Sequence, residues 1–247
     1  MKLHHILYRA NFLILIFCVG YAYAAPIVGT TQLTYAKNAI VTESCALQTT
    51  PPETPQSHPD TLPTCAGSKS ILSQVKLQLT QLQPRINQQL NESGQFSAFN
   101  AESIVASWQR KNPNFLSALE MQSNPSFNES SAHVNHIKTP NISYVLLGWI
   151  KAIKVSEERA TIMDTGKVSI LYSIDIIIDY KVINQNTRAL VTEFVAMGHG
   201  GIARIMADSS TQLTFNTETM INNAIGSLTV SVKHGLLIKQ SQGIILK

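Results

Sequence analysis

Charge is scarce in this chain. Charged residues make up only 14% of 247 positions, the formal net charge is +4, and aromatics account for 7%. No stretch interleaves basic with aromatic side chains, which argues against a nucleic-acid partner. No apolar run reaches the ~20 residues that a membrane-spanning helix takes. The G-x-S-x-G elbow is absent, no Walker or dinucleotide pattern occurs, and no cysteine has a convincing histidine partner. There are three cysteines, with no carboxylate or cysteine cluster at metal-ligand spacing. These absences lead to the expectation of a protein that is not an enzyme, with no catalytic residues, no metal and no cofactor.

The N-terminus reads as a secretory signal. Lys2, His4, His5 and Arg9 precede the apolar core Phe12–Val19, and Ala22-Tyr23-Ala24 fits the small-x-small cleavage rule. Cutting after Ala24 removes Lys2, Arg9 and Cys18 and leaves a nearly neutral chain with two cysteines, Cys45 and Cys65. In an exported protein such a pair favours a disulfide. The bridge would close a Pro-rich excursion, 46–64, that suits neither a helix nor a central strand. Residues 25–247 are read as a single periplasmic domain.

The strongest pattern runs from Val168 to Ile183. Every even position from Val168 to Val182 is apolar, while Ser169, Ser173, Asp175, Asp179 and Lys181 stand at odd ones. A period of two buries one face of a strand and wets the other. The link Asn184–Arg188 turns the chain into a second strand, Ala189–Gly198, making a long antiparallel hairpin. Gly198-His-Gly-Gly201 reads as a bend that ends it.

Elsewhere, Ile27–Val41 reads as one strand. Leu72, Val75, Leu79, Leu82, Ile86 and Leu90 form a helical stripe, which Pro84 should kink or divide. Gly94 suits a left-handed helix end. A short strand at Gln95–Phe99 and a helix at Ala101–Trp108 follow. Residues 109–141 read as a polar loop with one helical turn near Phe115–Met121. Ser143–Val155 is a strand. Asn216 or Thr217 caps a last helix bearing Ile221, Ile225, Leu228 and Val232, with a final strand from Leu236–Ile238 and Ile244–Leu246. The order implies an α/β fold: a mixed sheet with a long antiparallel hairpin and helices packed on one face.

Three segments carry a family resemblance. Leu90-Asn-Glu-Ser-Gly-Gln-Phe96 is similar to the "L-x-x-S-G-x-F" close of the first helix in an α/β domain of bacterial envelope proteins. That domain is shared by the curli secretion channel lipoprotein, the outer-membrane activators of penicillin-binding proteins, and flagellar and Tol proteins. Ile142-Ser-Tyr-Val-Leu-Leu-Gly-Trp-Ile150 resembles their "A-D-Y-V-L-x-G-x-I" strand. Ile178-Asp-Tyr-Lys-Val-Ile-Asn-Gln-Asn-Thr-Arg-Ala-Leu-Val191 resembles their "V-x-Y-x-V-V-x-x-x-T-G-x-V" strand pair. The lipoprotein cysteine is missing, and Arg188 replaces a usual turn glycine. The resemblance implies the fold and an envelope-assembly setting.

Two chemical readings are weaker. His133 and His136, with His199 as a third ligand, would present imidazoles to a metal, but their segment reads as loop. Asp175 and Asp179 lie about 13 Å apart along a strand, too far for a glycosidase pair. The expectation is therefore an exported structural or accessory subunit of an envelope or secretion-system/outer-membrane complex. It would be periplasmic, peripheral to the outer membrane at most, and docked to other envelope proteins or to further copies of itself. The interaction face would be Ser169, Ser173, Asp175, Asp179 and Lys181. The alternative is a periplasmic module binding a small ligand or cell-wall fragment.

Overall fold

The computed structural model describes residues 25–45, 68–122, 143–163, 165, 167–206 and 216–245. The expected leader 1–24, the Pro-rich excursion 46–64, the expected Cys45–Cys65 bridge, and His133 and His136 lie outside the described residues.

The elements are β1 (Ile27–Thr30), β2 (Thr34–Cys45), α1 (Ser68–Thr80), α2 (Leu82–Glu92), β3 (Ser97–Asn100), α3 (Glu102–Lys111), α4 (Phe115–Met121), β4 (Ser143–Thr161), β5 (Val168–Asn184), β6 (Leu190–Met206) and α5 (Thr217–Ser241). The strands form one open mixed sheet in the order β3-β1-β4-β5-β6, with β2 also on β4. β4, β5 and β6 are antiparallel neighbours, and β1 and β2 run parallel to β4.

The expected single strand Ile27–Val41 is two strands, which follow one another along the same edge of β4. β1 pairs Ser143–Leu146, and β2 pairs Trp149–Glu157. The chain leaves the ladder between them at Leu33, whose side chain fills the space that Gly148 leaves open: a Cβ on Gly148 would stand 2.5 Å from Leu33 Cδ2. Tyr180 closes the same space from β5, so Gly148 makes room for two side chains at once.

The even positions of β5 do face the core. Ile174, Ile176, Ile178, Tyr180 and Val182 are buried beneath α1, α2 and α5, together with Val75, Leu82, Ile86, Leu90, Ile225 and Leu228. The helical stripe divides at Gln81, and Pro84 falls in the first turn of α2, where its missing N–H costs nothing. Gly94 has φ +66°, as a left-handed helix end requires. Asn216 Oδ1 accepts the amide of Thr219 and caps α5.

The opposite face of the sheet is not wet throughout. Helices α3 and α4 lie over its first part, where Val105, Trp108 and Leu119 bury Val145, Leu147, Trp149 and Ile183. Residues Tyr144–Ile150 are therefore buried on both sides. A bulge at Lys151 then shifts the register, so that Ile150 and Ile153 face the same core.

Two further expectations change. Gly198–Gly201 is not a bend but the interior of β6. The even positions Ala196, Gly198 and Gly200 face α5, and a Cβ on Gly200 would stand 2.1 Å from the carbonyl oxygen of Met220. Here glycine permits close helix–strand packing rather than a turn. Among the described residues the final strand is absent as well: Leu236–Ile238 belong to α5, where Leu236 is wholly buried. Of the expected loop, residues 109–111 complete α3, residues 115–121 form α4, and 123–142 lie outside the described residues.

Candidate functional site

Beyond α4, three strands present their second face as an ordered grid. Register places Lys154, Asp175 and His199 in one row, Ser156, Ser173 and Gly201 in the next, then Glu158, Leu171 and Ala203, and finally Ala160, Ser169 and Ile205. Nearer the helices, Ala152, Ile177 and Met197 form a row, and Trp149, Asp179 and Val195 another. All five sequence-selected residues thus lie on one face of β5.

They are not equally accessible. Ser173 is buried, and its hydroxyl lies 2.6 Å from that of Ser156. Lys181 is only 5% exposed. Its ammonium donates to the carbonyl oxygens of Leu119 and Gln122, at the C-terminus of α4. It also lies 3.7 Å from Glu193 Oε2 and 5.9 Å from the ring centre of Trp149. A cation at a helix C-terminus satisfies carbonyls that lack amide partners and meets the negative end of the dipole. Lys181 is therefore a fastener between α4 and the sheet, not a wet residue, and the exposed face begins at Asp179.

Asp179 pairs with Lys151 at 3.2 Å, and Asp175 Oδ1 lies 2.7 Å from His199 Nδ1. Both pairs are well exposed, and such pairs contribute at most about 1 kcal/mol. Between and beside them stand large apolar side chains: Val195, Met197 and Ile205 are more than half exposed, and Leu171 is partly so. The sequence reading missed these apolar partners. Their signal was the odd parity of β6, which the register shift between Val182 and Ile183 sets opposite the odd positions of β5.

Asp175, His199 and Ser227 are the residue types of a hydrolase triad. Ser227 Oγ, however, bonds the backbone N–H and C=O of His199 at 2.7 and 3.0 Å, not its ring. The trio thus supplies no activated nucleophile. Among the described residues, no group of three or more His, Cys, Asp or Glu side chains could hold a metal ion, and no helix is long and apolar enough to cross a membrane.

On the core side, the Tyr180 hydroxyl is fully buried with no hydrogen-bond partner. Burial pushes its phenol well above the usual range. Tyr172 is pushed up to about 12 by burial and then by its hydrogen bond with Glu157.

No family model matches this chain, and no curated protein matches it in sequence. Among solved structures it is similar to a DUF330 protein from Xanthomonas campestris (12% identity, 89% of this chain and 87% of that one, TM-score 0.39). It is also similar to a neuraminyllactose-binding hemagglutinin homologue from Helicobacter pylori (8%, 90% and 92%, 0.38) and to a hypothetical protein from Chlamydia trachomatis (12%, 90% and 99%, 0.30). With scores below 0.5, none of the three bears on what this chain does.

Proposed function

We propose that this chain is an exported, non-enzymatic accessory subunit of a bacterial envelope assembly, and that it works by docking another protein on the open face of the β4–β5–β6 ribbon. One observation carries the reading. Past α4 that face exposes Leu171, Val195, Met197 and Ile205 around the Asp175–His199 and Asp179–Lys151 pairs. An apolar patch threaded with oriented polar pairs is the usual make-up of a protein-binding surface. The leader-like N-terminus and the resemblance of three segments to an envelope α/β domain support the setting. The partners are then other envelope or secretion-complex proteins, and the location is the periplasm, with outer-membrane association through those partners.

The test is affinity recovery from gently solubilised envelopes, comparing the native chain with a Val195→Asp, Met197→Asp double variant. Both substituted sites are exposed, so the variant should fold with an unchanged circular dichroism spectrum. The native chain is expected in a stoichiometric complex, with Ala25 as its first residue, and the variant alone. Recovery of the native chain as a free monomer overturns the reading.

A further inference from the structure

Strand β6 closes one side of the sheet, and among the described residues no strand pairs with its outer edge. It is 17 residues long, and its Val195 and Met197 are more than half exposed. A long edge with exposed apolar side chains is a template for pairing with another chain. Alternate residues of such a strand turn their amide and carbonyl outward. On β6, outward groups of Met197 and His199 are already taken by α5. The Ser227 hydroxyl accepts the His199 amide at 2.7 Å and lies 3.0 Å from the His199 carbonyl oxygen. The Ser231 hydroxyl accepts the Met197 amide at 3.1 Å.

Geometry allows a helix to do this. Residues four apart on a helix are separated by about 6.0 Å along its axis, and residues two apart on a strand by about 6.8 Å. Ser227 and Ser231 therefore keep step with His199 and Met197. Each serine directly precedes a buried residue of α5, Leu228 and Val232, and so stands where the packed face of the helix meets the rim of the sheet. A serine side chain is short, so the helix must also lie close. Gly198 and Gly200 permit that approach: a Cβ on Gly198 would stand 2.4 Å from the carbonyl oxygen of Ala224. The inward-facing glycines and the reaching serines are thus two parts of one contact.

We infer that Ser227 and Ser231 form an edge guard, an autoinhibitory contact that holds β6 shut against strand addition by a second copy. With the guard in place, the amides of Met197 and His199 have partners within the chain. Without it, every copy offers the same free edge, and two such edges can pair antiparallel about a two-fold axis. The guard lies on the rim of the sheet, not on its open face, and does not depend on the docking reading above.

The test compares the full chain with a Ser227→Ala, Ser231→Ala double variant. Alanine is the better helix former, so α5 should persist, and an unchanged circular dichroism spectrum should confirm it. In dilute solution, amide exchange at Met197 and His199 is expected to quicken at least about tenfold, while the inward amides of Gly198 and Gly200 keep their native rates. Light scattering over a concentration series is expected to show the double variant associating where the native chain does not grow. Ser227→Thr with Ser231→Thr retains both hydroxyls and should restore native exchange and native size. Unchanged exchange at Met197 and His199 overturns the inference. So does a double variant of native size at every concentration, or a threonine pair that behaves like the alanine pair.

Discussion

Arg188 shows how a single position departs from its best residue. It closes the β5–β6 turn with φ +58°, in the left-handed region where a side chain costs about 1–2 kcal/mol. Glycine there would remove that strain but add freedom to the unfolded chain, so Arg188→Gly is expected to raise stability by about 0.5–1 kcal/mol in urea titrations. The missing turn glycine was visible in the sequence; that the arginine pays in backbone strain was not. Tyr180 makes the opposite case. Its buried hydroxyl has no partner, so Tyr180→Phe should be neutral or stabilising. The same group links stability to pH. An unfolded tyrosine ionises near pH 10, whereas burial keeps Tyr180 protonated to higher pH. Above about pH 10 the unfolded chain therefore releases a proton that the folded chain retains, and stability falls as pH rises, by at most about 1.4 kcal/mol per unit for this group. Melts between pH 9 and 11 should show that decline, and Tyr180→Phe should flatten it.

At the scale of elements, the glycines of β6 were the hardest to read. A Gly-His-Gly-Gly run looks like a bend in sequence, because glycine serves turns and close contacts alike. Only the position of α5 separates the two uses. Gly200→Ala is expected to destabilise by about 3 kcal/mol or more, because the new methyl meets the helix backbone, which has no room to yield. Gly201→Ala, with no atom nearer than 3.4 Å, should cost far less. Lys181 joins another pair of elements. Lys181→Met should cost about 2–3 kcal/mol by leaving carbonyls at the end of α4 without their donor. It should also raise amide exchange in residues 115–121 before the rest of the chain. If exchange there is unchanged, the fastener role fails. The position had the right parity for a wet face, but the helix that covers it lies some 60 residues earlier in sequence, out of reach of any local pattern.

The whole molecule divides its sheet into a packed half and a presented half. If the ribbon face is a docking surface, Val195→Asp with Met197→Asp should abolish partner recovery while changing the melting temperature little, since both sites already face water. Sequence alone determined which residues of β5 share a face, that the helical stripe is interrupted near Pro84, that Asn216 or Thr217 caps α5, and where Gly94 ends a helix. Each of these follows from local periodicity or backbone sterics, which act over a few neighbouring residues. Tertiary structure alone decided that β1 and β2 share one edge of β4, that the Lys151 bulge shifts the register of the central strand, and that Lys181 and Ser173 are covered. It also decided that helix side chains bond the sheet's outer strands, Asn91 at β3 and Ser227 and Ser231 at β6. These features depend on chain segments far apart in sequence meeting in space, and burial is a property of that meeting, not of any one segment's pattern.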